Sequence, residues 1–388
     1  MQAHPLNISE PWQNVPAARS FLNWLVVDAK ESEDAPPVLC RQADAQAVAA
    51  WLVRQGLGAL AYDRCQGTGS KLNDLLQADM FSAAAEASLK LAALAGIREA
   101  FAAAGIRFVL LKGAALGLTV YRDPALRTMS DIDLWLPAAG RPAAAALMQT
   151  LGYRFKEEKT ERPLALHELA SGEIQFFHPD WRGGYVELHA TPFEGWWLAR
   201  TAVVDEAPVW SRTEAVAGWE GVGQMAAEDM VIHLAVHTAI NHQFGLSALR
   251  SLLDIALTAG KRGVNWPVVA ERAKEWRVAT AVYTVLDLLD QLIGVTGLEP
   301  ALNALRPPAW RMKLIRRFVT PESVLAGRDL RNGRQRFLLL LLLVDRPQDA
   351  AKLAGRALWP EQAWLDARYG GGVSHWRHLW RVVRYGNI

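Results

Sequence analysis

Strand-like segments in this chain are confined to its middle third, between two long stretches of helical texture. From about residue 11 to 104 apolar residues recur at three- and four-residue spacing, ending in SAAAEASLKLAALAGIREAFAAAGI, with Gly105 as the expected stop. The texture then changes. RFVLLK is an apolar run of strand length, GAALGLTVY reads as a turn into a helix, and DIDLWLP alternates as a strand does until Pro137 ends it. A helix is expected from about Arg141 to Leu151, and EIQFF and GYVELHA supply two more strands. From about Ala226 helix returns in MVIHLAVHTAI, ALRSLLDIALTAG, WPVVAERAKEWRV and ATAVYTVLDLLDQLIG. The order predicts an α+β chain: an N-terminal helical region (1–95), a small mixed β-sheet core (96–215) and a C-terminal helical domain (216–388).

Composition narrows what such a chain does. With 51% hydrophobic and 21% charged residues it is an ordinary folded protein rather than a disordered one. A net charge of +2 exerts little pull on a polyanion, so nucleic acid is not indicated by charge. Cys40 and Cys65 are the only cysteines, which excludes a disulfide framework and a four-cysteine zinc site and suits a reducing compartment, with the cytoplasm expected. The start, MQAHPLNISEPW, lacks the features of a signal peptide. The most apolar run, Phe337 to Val344, is far short of the ~20 residues a spanning helix needs, so no membrane span and a buried helix are expected. The 16 tryptophans are expected between packed helices, and the end, SHWRHLWRVVRYGNI, reads as an amphipathic helix that docks on the body or on a partner.

The chemistry centres on Asp131 and Asp133. Alternation in a strand sends both carboxylates to one face, with Ile132 and Leu134 packing on the other. Carboxylates held so close resist joint ionisation unless a cation neutralises them, which points to a divalent ion: Mg2+, with Mn2+ as the alternative. Glu187 in YVELH is the candidate third carboxylate, with Tyr185, Glu187 and His189 on an exposed strand face. The segment VLLKGAAL offers what a phosphate needs, since Gly113 permits close backbone approach and a helix start favours an anion; Lys112 and Arg127 add positive charge, and Ser130 stands beside the acidic pair. His233, His237 and His242 have a spacing that can hold a transition metal, but HLAVH lacks a glutamate base, so buried structural histidines are expected. Arg250 and Asp254, at i and i+4, are expected to form a structural ion pair.

The segment LLKGAALGLTVYRDPALRTMSDIDLWLP, with its LLKG, Y-x-D-P-x-x-R and S-D-I-D-L elements, resembles the uncharacterised nucleotidyltransferase family of the DNA polymerase β-type superfamily. VELH, LAVHTAINH and LRSLLDIA extend the likeness over roughly residues 90–290. The resemblance implies a nucleotidyltransferase core in which Gly113 lies in the phosphate-facing turn, Asp131 and Asp133 bind metal and Glu187 completes the acidic set. Lys112, Gly113, Arg127 and Ser130 would position phosphates. The implied reaction moves a nucleoside monophosphate from a nucleoside triphosphate, ATP among them, to a small-molecule, peptide or protein acceptor and releases pyrophosphate. Two departures stand out: the usual Gly-Ser pair reads Gly113-Ala114, and 17 residues separate Gly113 from Asp131. They keep open an alternative, a catalytically silent nucleotide- or protein-binding regulator on the same fold.

Overall fold

The structure, a computed structural model, describes residues 15–27, 44–155, 173–180, 184–193, 195, 197–330 and 332–385; the start of the chain, Cys40 and the last three residues lie outside them. Helices α1 (Val15–Val26), α2 (Ala45–Arg54), α3 (Gly58–Cys65) and α4 (Leu72–Ala103) come first. The 32-residue α4 buries Leu72, Leu76, Ala83, Ala87, Leu94, Ile97 and Phe101 along one stripe and packs that side against α2 and α3. By length and composition it is the one described helix apolar enough to cross a membrane; about a quarter of that window is buried inside the fold. Gly105 follows its last turn at φ +68°, a left-handed conformation that costs glycine nothing and turns the chain toward the sheet.

Among the described residues seven strands form one mixed sheet: β1 (Phe108–Leu110), β2 (Asp131–Trp135), β3 (Arg154–Phe155), β4 (Glu173–Phe177), β5 (Tyr185–His189), β6 (Glu214–Ala215) and β7 (Val222–Gln224), in the order β3-β4-β5-β2-β1-β7-β6. β2 runs parallel to β5 and β1 parallel to β7; the other pairs are antiparallel. Every residue of β1 is buried, as its unbroken apolar run requires of an inner strand. In the central pair Asp133 lies opposite Glu187, and Trp135 opposite His189. β6 and β7 extend the sheet beyond the strands expected from the sequence: VGQ has no alternation to betray it, and its pairing partner β1 supplies the order.

Between β1 and β2 the chain forms α5 (Lys112–Thr119), and α6 (Arg141–Thr150), with Pro142 in its first turn, follows β2. The helices α7 (Ala227–Val236), α8 (Ala248–Arg262), α9 (Trp266–Glu275) and α10 (Ala279–Leu292) build the helical lobe. At the end of α7 one turn, His237–Asn241, widens to π geometry, with the His242 amide bonded to the His237 carbonyl at 3.0 Å. Such a turn adds a residue to the helix and re-aims the side chains that follow.

Two expectations require correction. Phe337–Val344 does form a helix, α11 (Gly333–Leu343), but only Leu339, Leu343 and Val344 of that run are buried and Leu338 is half exposed. A run apolar at every position names no inner face, so packing chose one. The tryptophans divide: Trp51, Trp135, Trp266 and Trp276 are buried as expected, whereas Trp310, Trp359, Trp376 and Trp380 are exposed by half or more.

Candidate active site

A cleft of about 280 Å³ opens between the sheet and the helical lobe. Lys112, Gly113, Arg127, Ser130, Asp131, Asp133 and Glu187, all singled out from the sequence, line one side of it, and His237, Asn241, His242, Ser247, Arg250 and Ser251 line the other. The strand register gathers the carboxylates. β2 carries Asp131 and Asp133 on one face, and parallel pairing sets Glu187 directly beside Asp133. Glu187 and His189 are buried beneath the helical lobe, which corrects the reading of their strand face as exposed.

Asp133 is the most enclosed of the carboxylates. Its Oδ1 receives Lys112 Nζ at 2.8 Å and His189 Nε2 at 2.8 Å, and an ionised carboxylate can only accept, so Nε2 carries the proton of that bond. Burial works to raise its proton affinity, but Lys112 and His189 prevail and hold Asp133 well below the usual carboxylate range. Its neighbours go the other way. Burial, then the charge of Asp133, raises Asp131, which accepts a hydrogen bond from Ser130 Oγ at 3.0 Å. Burial and the charges of Asp133 and Asp131 push Glu187 up to about 7, while Gln175 Nε2 donates to its Oε1 at 2.6 Å.

Lys112 sits at φ +47° at the head of α5, an uncommon conformation for a residue with a side chain. Its bond to Asp133 anchors it there. A Cβ added at Gly113 would stand 2.9 Å from Met129 Cβ and 3.3 Å from Arg127 Nη1, so this position admits only glycine without displacement. Ala114 is buried in the core rather than facing the cleft.

Arg127 reaches the cleft but is committed elsewhere. Its Nε and Nη2 donate to Asp254 at 2.8 to 3.0 Å, its Nη1 bonds to the Thr128 carbonyl, and Tyr121 OH donates to Asp254 Oδ1 at 2.8 Å. The expected Arg250–Asp254 pair is thereby replaced. Asp254 is fully buried and turned inward, where the planar fork of Arg127 meets both its oxygens, while Arg250 Nη1 contacts the carbonyl and hydroxyl of Thr128 at 3.3 Å. Among the described residues Arg250 Nε is buried with no hydrogen-bond partner, and the charge of Arg127, then burial, pushes its guanidinium down to about 10. Arg250 is thus a cleft cation that sequence reasoning missed, because its helical spacing to Asp254 suggested a pair.

Burial depresses His233, His237 and His242, and His233 and His237 stack with ring centres 6.1 Å apart, in keeping with structural histidines. Among the described residues the one group of three that could hold a metal ion is Asp133, Glu187 and His189, whose ligating atoms lie within 4.8 Å of one another. His189 was missed as a member of the set; its signal was the period of two from Glu187 along the same strand face.

The residues present fit a divalent cation. Asp133, Glu187 and His189 offer ligand atoms within 4.8 Å of one another, and Asp131 shares the strand face of Asp133. A family model described as an uncharacterised nucleotidyltransferase matches residues 41–294. No curated protein and no solved structure matches the chain. That match takes in β1 to β7, every residue of the acidic set and the helical wall facing it, and the chain belongs to the uncharacterised nucleotidyltransferase family.

Proposed function

We propose that this protein transfers a nucleoside monophosphate from a nucleoside triphosphate to a hydroxyl of an acceptor, with release of pyrophosphate. The observation that carries the reading is the convergence of Asp131, Asp133 and Glu187 on one wall of a cleft whose other wall presents Arg250. Asp131, Asp133 and Glu187 would hold the divalent ion, Mg2+ or Mn2+, which when bound supplies positive charge against the phosphates. The acceptor oxygen bonds to the α-phosphorus as the bond to the pyrophosphate oxygen breaks. Glu187, set beside Asp133 by the strand register, is the third ligand or the base that takes the acceptor proton. Lys112, the Gly113 turn and Ser130 line the phosphate side, and Arg250, which among the described residues makes two 3.3 Å contacts to Thr128, can turn to phosphate oxygens more readily than Arg127, which is clamped on Asp254. His189 positions Asp133. Catalysis of this kind is mainly positioning and charge stabilisation, which such a set supplies.

The test is incubation of the purified protein with labelled triphosphates, Mg2+ and candidate acceptors. Pyrophosphate and a labelled product should form, and Asp131→Asn with Asp133→Asn should abolish both. No pyrophosphate from any triphosphate would sink the transferase reading. A second reading, a silent nucleotide-binding regulator, is favoured by the Lys112–Asp133 ion pair, which already neutralises the central carboxylate. It predicts nucleotide binding with no pyrophosphate.

A further inference from the structure

The helix α12 (Pro347–Leu358) and the C-terminal helix α13 (His375–Tyr385) lie outside the matched family region and meet in an aromatic corner. α13 is held to the body by its inner face: Val382 is buried, and His378 donates from Nε2 to the Ala357 carbonyl at 3.1 Å while Tyr369 OH donates to its Nδ1 at 2.9 Å. Residues 376, 380 and 384, one turn apart, occupy the opposite face. Trp376 is 71% exposed and Trp380 52%, and Trp359, at the end of α12, is 50% exposed with its ring edge-on to Trp376 at 5.4 Å. Large apolar rings gathered in this way mark an interaction face.

Charge and ring geometry select the occupant. From Pro347 onward six basic residues stand against Asp349, Glu361 and Asp366; Arg368 and Arg381 lie over Tyr369, whereas Arg377 and Arg384 flank the exposed tryptophans, so the face suits an anionic partner. Single-stranded nucleic acid would need open ring faces for its bases. Two of the three indoles have one taken: His375 stacks on Trp359 at 4.5 Å and 16°, and Arg384 lies over Trp380 at 4.9 Å. What the corner offers instead is apolar ring bodies and edges flanked by guanidinium groups, the composition that settles at the headgroup layer of a membrane. We propose that the α12–α13 corner docks on an anionic phospholipid bilayer, with α13 lying along the surface, Trp359, Trp376 and Trp380 among the headgroups and Arg377 and Arg384 on lipid phosphates. The proposal is independent of the transferase reading.

The test is co-sedimentation of the full chain with phosphatidylcholine vesicles and with vesicles that also contain phosphatidylglycerol. The protein should pellet with the anionic vesicles, weakly with the neutral ones, and less as salt rises. Arg377→Gln and Arg384→Gln should each weaken binding about fivefold. Trp376→Ser with Trp380→Ser should abolish pelleting while circular dichroism and melting temperature stay at the parent values. Absence of pelleting with anionic vesicles overturns the proposal, as does pelleting that the paired tryptophan substitution leaves unchanged. A dimer in solution that those substitutions dissolve, with no vesicle binding, would assign the corner to a second copy of the chain and overturn it equally.

Discussion

Replacing Asp254 by Asn tests whether the cleft is tied together as the geometry indicates. Asp254 is fully buried and accepts three hydrogen bonds from Arg127 at 2.8, 2.8 and 3.0 Å and one from Tyr121 at 2.8 Å. Asparagine keeps the shape but removes the charge and turns one acceptor into a donor facing the guanidinium. Arg127, itself buried, is then left uncompensated beside Arg250. Removing one partner of a buried ion pair costs about 3–5 kcal/mol. An unfolding entropy of roughly 2.1 cal/mol/K per residue, taken over 388 residues, gives about 0.8 kcal/mol/K, so the melting temperature should fall by about 4–6 °C if the chain unfolds as one unit. Differential scanning calorimetry reads that shift directly. The paired substitution Arg127→Met with Asp254→Leu should recover much of the loss, since no buried charge remains unpaired. A melting temperature for Asp254→Asn within about 1 °C of the parent would refute the reasoning. So would a double variant that loses the sum of the two single effects.

Gly113→Ala should lower stability by about 1–3 kcal/mol, measured by chemical denaturation, because the new Cβ would meet Met129 Cβ at 2.9 Å in a packed wall. Stability should also fall with acid through His233, which burial holds at about 3 against an ordinary 6.5. The unfolded chain takes that proton first, so this contribution is complete above pH 6.5, is lost progressively toward pH 3, and amounts to about 2 kcal/mol of loss by pH 5. Urea midpoints at pH 7.5 and pH 5 measure it, and His233→Phe should shrink the difference by about 2 kcal/mol, leaving the share of His237 and His242, which burial also depresses. Arg250→Gln should raise the KM for a nucleoside triphosphate about 10- to 100-fold while the melting temperature barely changes, since a charge-assisted contact to phosphate is lost and no buried carboxylate is abandoned. An unchanged KM would remove Arg250 from the phosphate side.

What the sequence makes legible here is local. DIDLW and YVELH alternate, so their acidic residues share faces whether or not the strands pair, and the SDID and VELH segments could be joined into one site before any contact was visible. The partner of Arg127 was not legible, because 127 residues separate it from Asp254 and each has a nearer plausible partner. Burial of Glu187 and His189 comes from the lobe that covers them, which no strand periodicity reports. In HWRHLWRVVR an amphipathic helix was evident, but the pattern does not say which face turns inward. Two hydrogen bonds to His378 decided it, leaving the tryptophans outside.

The Arg127 network also explains why the helical lobe belongs to the site rather than merely covering it. Asp254 comes from α8, Tyr121 from the chain just after α5, and Arg127 from the loop that leads into Asp131. One buried carboxylate therefore ties together the helical wall, the turn that carries Lys112 and Gly113, and the strand that carries Asp131 and Asp133. Arg250, one turn nearer the start of α8 and on the cleft side, touches the same loop at Thr128 through two 3.3 Å contacts. A sheet cut away from α7 and α8 would keep Asp131, Asp133 and Glu187 in register, because strand pairing sets that. It would lose the enclosure that raises Glu187 and the opposing cation. The acidic set is thus specified by the sheet, and its chemistry by the lobe.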